Sequence, residues 1–149
     1  RLMTNTGTDV TGPLPDDWTL PRLGRVNTEW FTSGKLLVQT CNQCGTRQHP
    51  PEEICHHCGS MDLGHTELGP NGTVHSFTVA HYAVNRALAD AVPYAVVLVT
   101  LDDDPSIRII GNVIDADPGE VHIGMPVRAT WVERSDENGS VLLPQWVRA

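Results

Sequence analysis

The stretch that decides the fold is CNQCGTRQHPPEEICHHCG, residues 41–59, which contains two Cys-x-x-Cys-Gly units. It holds all four cysteines of the chain, Cys41, Cys44, Cys55 and Cys58. A tetrahedral metal ion explains both pairs at once, because each Cys-x-x-Cys turn presents two thiolates to one centre. The glycine after each pair permits a positive φ, so that backbone N–H groups can point at the sulfurs. The array predicts a metal site, with zinc favoured over iron.

A disulfide framework and a redox-active Cys-x-x-Cys are the alternative interpretations of this array. Disulfide frameworks are typical of secreted chains of under about 100 residues that lack a core, and a redox motif needs only one pair. Four thiolates complete the shell of a zinc ion and leave no position for a catalytic water. We therefore expect a structural Zn²⁺, for which His49, His56 and His57 are not needed as ligands.

The composition limits the classes of partner. The chain has 149 residues and a net charge of −8, and its ten Lys and Arg residues form no cluster. This balance argues against binding to nucleic acid or to an anionic membrane. No apolar run approaches the roughly 18 residues of a membrane helix, and no signal segment opens the chain. We expect a cytoplasmic protein, and the start at Arg1 suggests a processed chain or a piece of a longer one.

Residues 1–68 are predicted to hold three units. Residues 1–21 are rich in Gly, Pro, Thr and Asp and predict a linker or arm. Residues 22–35 predict a helix that ends near Gly34, with Val26, Trp30 and Phe31 on one face. Residues 36–68 would then form the zinc ribbon, which opens with a short strand at 36–40.

The remaining residues, 69–149, predict a mainly β domain. Five segments with strand-forming composition are joined by turn-rich connections, at 72–81, 94–101, 107–115, 126–134 and 141–149. Five short strands of this kind favour a five-stranded OB-fold barrel. The long connection at 82–93 is predicted as either a helical turn or a flap.

No catalytic residue is predicted in the β region. It lacks a Gly-x-Ser-x-Gly elbow, a phosphate-binding loop and a free cysteine. The run Asp102–Asp104 could form a metal or acid–base cluster, but it directly precedes Pro105, and a solvated turn is the favoured interpretation. His75 and His81 share a strand and could line a cleft or lie on the surface.

Taken in order, several motifs carry a family resemblance. They are GKLLVQTCNQCG (34–45), PPEEICHHCGS (50–60), GTVHSFTVAH (72–81), PYAVVLVTLD (93–102), GNVIDAD (111–117) and IGMPVRATW (123–131). This combination resembles the acyl-CoA-associated OB-fold proteins, in which a rubredoxin-like zinc ribbon precedes an OB domain. The resemblance implies a non-catalytic subunit that forms a hetero-oligomer around the dimer of a thiolase-superfamily enzyme. In one branch, this part is the C-terminal portion of a steroid-degradation hydratase subunit and serves a thiolase-like aldolase in retro-aldol cleavage.

The resemblance also implies roles for particular residues. The four cysteines are the zinc ligands, and a CoA thioester is the substrate of the complex. Near the acyl-CoA entrance we expect Tyr82, Arg86 and Tyr94, and against the catalytic partner Val26, Trp30 and Phe31. Two alternatives stay open: a zinc-ribbon OB module that binds single-stranded nucleic acid, and a rubredoxin-like iron electron carrier.

Overall fold

A computed structural model describes residues 12–149 of the chain. Of the predicted arm at 1–21, residues 1–11 therefore lie outside the described part. The described elements, in chain order, are α1 (Thr28–Thr32), β1 (Leu36–Cys41), β2 (Arg47–Gln48), β3 (Leu63–Leu68), β4 (Asn71–Ala80), β5 (Tyr94–Leu101), β6 (Arg108–Gly111), β7 (Pro126–Asp136) and β8 (Gly139–Arg148). Within residues 12–149, no helix has the length and apolarity that a membrane crossing requires.

The strands form two antiparallel sheets. The first has the order β2-β1-β3 and the second the order β6-β5-β4-β7-β8. The second sheet curls until the segment that follows β6 meets β8, where Val113 and Trp146 form an isolated parallel bridge. Backbone hydrogen bonds of 2.9 Å run from Ile114 to Trp146 and from Trp146 to Asn112. The predicted mainly β, OB-like fold with its short helix and ribbon is confirmed, although no continuous ladder closes the barrel.

One hydrophobic core serves both sheets. The inward residues of β5, which include Val97 and Val99, alternate with half-buried outward residues, as expected for a strand with one face inside. Leu36 and Val38 of β1 and Trp30 of α1 belong to the same buried cluster. The ribbon therefore places its best apolar side chains against the barrel and shares its core, because a ribbon of this size has too few residues to bury a core alone.

The helix is shorter than the predicted span of 22–35. Asn27 forms a polar turn in place of helix, since its side-chain oxygen accepts the Gly24 N–H at 2.7 Å and its amide group donates to the Arg22 carbonyl. At the other end Gly34 has a φ of +66°, a left-handed conformation that stops the helix. The side-chain hydrogen bonds of Asn27 therefore delay the start of the helix to Thr28.

The strand prediction missed two elements and overextended a third. Strands β2 and β3 pair with β1, and their sequences, RQ and LGHTEL, carry little β signal of their own. Strand β6 ends at Gly111 and not near residue 115. At that point the Asn112 N–H donates to the side chain of Gln145 at 2.8 Å, which diverts the chain from β5 towards β8. All three features depend on partners distant in sequence.

The acidic run at Asp102–Asp104 is a structural turn that joins the two sheets. Asp103 accepts the backbone N–H of Gly69 at 2.7 Å, at the junction between β3 and β4. Asp104 forms an ion pair of 2.9 Å with Arg47 of the ribbon. The Ser106 hydroxyl and the Arg47 guanidinium, both hydrogen-bonded to Asp104, lower the pKa of its carboxyl. These contacts explain the run without a metal or an acid–base role.

Candidate functional site

The four cysteine sulfurs converge on one point. All of them lie within 4.8 Å of one another, and the shortest separations are 3.6 Å between Cys41 and Cys58 and 3.7 Å between Cys44 and Cys55. Four sulfurs at 2.3 Å from a tetrahedral zinc would be separated by about 3.8 Å. All four cysteines are free, so the structure does not support the disulfide interpretation. The set fits a tetrahedral metal ion.

The two knuckles of the site have the same backbone. In the first, Cys41 donates to the Thr46 carbonyl and Gly45 donates back to the Cys41 carbonyl, both at 2.9 Å. In the second, Cys55, Gly59 and Ser60 repeat this pattern at the same distance. Gly45 and Gly59 have φ values of +76° and +74°, a region that residues with a side chain rarely adopt. The glycines predicted to shape the knuckles are thus required by backbone geometry.

The electrostatics of the cluster favour a cation. Hydrogen bonds from the side chain and the backbone of Thr46 lower the pKa of Cys44 to about 6. A hydrogen bond from the backbone of Cys44 lowers the pKa of Cys41. At Cys58 a hydrogen bond from the Ser60 backbone lowers the pKa, but burial and the three neighbouring sulfurs outweigh it and raise the value to about 12. Four thiolates at this spacing repel one another, and a bound Zn²⁺ would remove that conflict.

Two buried glutamines hold the loop between the knuckles, and the sequence analysis missed them. Gln39 of β1 accepts the Glu52 N–H at 2.9 Å and donates to the Glu52 carbonyl at 2.8 Å. Gln48 of β2 donates to the Ile54 carbonyl and accepts the His56 N–H, both at 2.9 Å. The two side chains also bond to each other at 2.7 Å. Sequence alone signals only that both glutamines flank the first knuckle.

His49 packs inside the ribbon and is not a ligand. Its ring lies 4.5 Å from the Trp30 ring, centroid to centroid, at an interplanar angle of 48°. Its Nδ1 is buried without a hydrogen-bond partner. Burial lowers the pKa of His49 to about 4, because the charged imidazolium would lose its hydration there. His56 and His57 are exposed beside the second knuckle, as expected.

The predicted acyl-CoA residues lie on or beside one long connection. Tyr82 and Arg86 are exposed on the segment between β4 and β5, and Tyr94 is half-buried where β5 begins. A 3-10 turn at Arg86–Leu88 is capped by Asn85, and Leu88, only 5% exposed, anchors it. Among the described residues, Arg86 has no ion-pair partner. The loop that Leu88 anchors therefore presents the positive charge of Arg86 and the exposed ring of Tyr82.

The three residues predicted to face the partner differ in how far they are buried. Trp30 is 6% exposed and belongs to the core of this chain. Phe31 packs against that core with part of its surface accessible, and Val26 is half-buried. A partner at this position would therefore contact Val26 and Phe31, while Trp30 would support them from below.

Two family descriptions match the chain in succession. The rubredoxin-like zinc ribbon domain of ChsH2 matches residues 32–64, and the C-terminal OB-fold domain of ChsH2 matches residues 65–132. The fold and the site thus define a protein that joins a zinc ribbon to an OB fold.

Curated relatives extend this match. A "Probable enoyl-CoA hydratase alpha subunit" of Thermomonospora curvata is 38% identical over 120 residues, which cover 78% of this chain and 36% of the relative. A "3-oxo-4,17-pregnadiene-20-carboxyl-CoA hydratase alpha subunit" of Mycobacterium tuberculosis is 35% identical over 126 residues, 82% of this chain and 39% of the relative. The chain thus spans under two fifths of the length of both subunits.

A shorter relative and a solved structure match over most of their length. A "DUF35 domain-containing scaffold protein" of Methanocaldococcus jannaschii is 32% identical over 105 residues, 70% of this chain and 72% of the relative. The structure of the "Ltp2-ChsH2(DUF35) aldolase" has a TM-score of 0.71 and 34% identity, with 87% of this chain and 98% of that chain covered. This chain belongs to the ChsH2 (DUF35) family, which confirms the family resemblance inferred from the sequence.

Replacement of a cysteine tests whether the metal stabilises the ribbon. We expect Cys41→Ser to lower bound zinc to well under one equivalent and to unfold the ribbon, because structural zinc contributes on the order of 10 kcal/mol to small zinc domains. Elemental analysis and circular dichroism measure both effects. The matched control His57→Gln, at an exposed residue beside the same knuckle, should keep one equivalent of zinc. Iron in place of zinc, or an intact ribbon without metal, would contradict this assignment.

The buried His49 predicts an acid-sensitive ribbon. Above pH 6.5 the residue is neutral in both the folded and the unfolded chain and adds no pH dependence. Between pH 6.5 and about 4 only the unfolded chain binds the proton, so the free energy of unfolding should fall by up to about 3 kcal/mol. In His49→Phe, which keeps a ring against Trp30, this fall should disappear.

Urea unfolding at several pH values measures this difference, with zinc content followed at each pH to separate the histidine from metal release. Equal pH dependence in the two proteins, at equal zinc content, would show that His49 is not responsible.

Proposed function

We propose that this chain is a non-catalytic accessory subunit that binds a thiolase-like enzyme and supports its action on an acyl-CoA. The observation that carries the proposal is the match to the Ltp2-ChsH2(DUF35) aldolase. This chain covers 98% of the chain that it matches in that structure. The name of the scaffold relative from Methanocaldococcus jannaschii supports the same kind of role. A chain that matches nearly all of one component of a named assembly is a candidate for the equivalent component.

The site supports an accessory role over a catalytic one. Within residues 12–149, the four cysteines are the only cluster placed to hold a metal. If Zn²⁺ fills it, four sulfurs complete the coordination and leave no place for substrate or water. The metal would then stabilise the ribbon and, through Arg47 and Asp104, the turn of the barrel that the ribbon contacts. The chemistry of the complex would come from the partner.

The proposed substrate class is a steroid side-chain CoA thioester, cleaved by retro-aldol reaction in the partner. The name of the Mycobacterium tuberculosis relative includes a pregnadiene carboxyl-CoA, and the solved structure that matches this chain is named as an aldolase. In this reaction a carbon–carbon bond of a β-hydroxyacyl-CoA breaks, and a ketone and a shorter acyl-CoA form. The connection between β4 and β5 would lie beside the acyl-CoA, where Arg86 offers a cation to a CoA phosphate.

Reconstitution tests the accessory role. Ltp2 of the matched aldolase, taken as the thiolase-like enzyme, is expressed with and without the chain. Gel filtration with light scattering should detect a hetero-oligomer around the enzyme dimer. Steroid acyl-CoA cleavage, followed by mass spectrometry of the ketone and the shorter acyl-CoA, should fall at least 100-fold without the chain. Full activity of the enzyme alone would refute the proposal.

Arginine replacement tests the CoA contact separately from assembly. In the reconstituted complex, Arg86→Ala should raise KM for the CoA thioester three- to tenfold, because one charge-assisted hydrogen bond is lost. Arg128→Ala, at another exposed arginine without an ion pair among the described residues, is the matched control and should leave KM unchanged. Equal effects of the two variants on KM would assign the change to net charge and not to a CoA contact.

A further inference from the structure

Strand β4 leaves the barrel half-way along its length. It pairs with β7 only from Asn71 to Thr73. One residue later, the Val74 N–H donates to Met125 at 3.0 Å, and the Val74 carbonyl accepts from Gly124 at 2.8 Å. A bulge at His75 follows. Beyond the bulge, β5 is the only strand beside β4 in the described part of the chain, so residues 75–80 form an open sheet edge.

The hydrogen bonds of β5 reveal which backbone groups this edge presents. The Ala95 carbonyl accepts the side-chain amide of Asn112, and the Leu101 N–H donates to Ile107, so these odd-numbered residues turn towards β6. Val79 lies opposite Ala95. A residue opposite one that faces away must itself face away in an antiparallel pair. Val79, and two residues before it Phe77, therefore direct their N–H and C=O groups outward, where no described residue bonds to them.

The side chain of Phe77 is also left without a neighbouring strand to cover it. Phe77 lies opposite Val97, which is fully buried, so both side chains are on the core side of the sheet. Phe77 is nevertheless 38% exposed. Residues on the inner face of a barrel are normally covered by the next strand. Here β7 has separated from β4, and the phenyl ring is left partly uncovered.

Apart from the bulge at its start, this edge lacks the features that normally prevent strand addition. Exposed sheet edges usually carry lysine, proline or inward-pointing charges, and the sequence HSFTVA at 75–80 has none of these. The edge runs directly into the β4–β5 connection, where Tyr82 and Val84 are 83% and 87% exposed. Edge and connection thus form one continuous surface, with backbone hydrogen-bonding groups at one end and apolar side chains at the other.

We propose that the outer edge of β4, residues 75–80, binds an extended segment of the catalytic partner by antiparallel or parallel strand addition. This inference rests on the proposed function and names the surface through which the partner is held. The outward groups of Phe77 and Val79 are two residues apart, about 7 Å along the strand. An extended peptide supplies complementary donors and acceptors at this spacing. An apolar side chain of that peptide would cover the phenyl ring of Phe77.

Amide hydrogen exchange, measured by NMR on the full 149-residue chain, tests the pairing at single residues. In the free chain the amides of Ser76 and Thr78, which face β5, should exchange slowly, and those of Phe77 and Val79 should exchange fast. On saturation with the thiolase-like enzyme, the amides of Phe77 and Val79 should slow at least tenfold. Ser76 and Thr78 should change little and act as internal controls.

Side-chain variants give an independent measurement. Phe77→Lys places a charge at the edge and should weaken binding of the thiolase-like enzyme at least tenfold in a calorimetric titration. Thr78→Lys adds the same charge one residue away on the opposite face of the strand, and should change the Kd less than threefold. Circular dichroism and zinc content verify that both variants are folded. Because the exchange experiment uses the unaltered chain, the proposal is tested even if Phe77→Lys unfolds.

The outcomes separate this inference from the proposed function. A complex that forms without slowing Phe77 and Val79 would overturn strand addition and leave the accessory role intact. Absence of any complex with Ltp2 would overturn both. Slow exchange in the free chain that is lost on deletion of residues 1–11 would assign the edge to that segment, and slow exchange that grows with protein concentration would assign it to a second copy. Either result would overturn the proposal.

Discussion

The convergence of four sulfurs is the constraint on which the rest of the ribbon depends. Cys41 and Cys58 are 3.6 Å apart, and Cys44 and Cys55 are 3.7 Å apart, so residues from two distant knuckles occupy one small volume. Without a cation, four thiolates at this spacing would repel one another. A metal turns this repulsion into a cross-link. This cross-link and the Gln39–Gln48 pair hold the ribbon together, as a hydrophobic core does in other domains. The interior of the ribbon can therefore be polar.

This division of roles makes ribbon and barrel one unit. Since the metal cluster and the glutamines hold the knuckles, Leu36 and Val38 are available to face the barrel core. The ion pair between Arg47 and Asp104 joins the two parts at a second point. A zinc ribbon fixed in this way gives the module a defined orientation. That rigidity suits the proposed accessory subunit, which would present surfaces to a partner enzyme.

The surfaces proposed for binding are formed where the barrel is irregular. The bulge at His75 directs β4 away from β7, and the long connection after β4 is anchored by Leu88. These two features place an open strand edge beside an exposed apolar loop with a single arginine. Both lie in the barrel, whereas the cysteine cluster lies in the ribbon. The proposed contacts with the partner and the CoA thioester are thus separate from the groups that hold the fold.

The sequence by itself determined the four-cysteine cluster and most of the β architecture. Cysteine spacing with the following glycines is a local signal, and the strand β5 alternates so regularly that it was predicted with the bounds it has. What only the tertiary structure decided depends on hydrogen bonds that the pattern of apolar residues does not reveal. This group includes the late start of the helix at Asn27, the strands β2 and β3, the early end of β6, the Gln39–Gln48 pair and the structural use of Asp102–Asp104. The open edge of β4 belongs to this second group, because the sequence of a strand does not reveal which of its backbone groups lack a hydrogen-bond partner. The alternation of apolar and polar side chains can be read from the sequence, but the hydrogen-bond partners of each strand are fixed only when the sheets assemble.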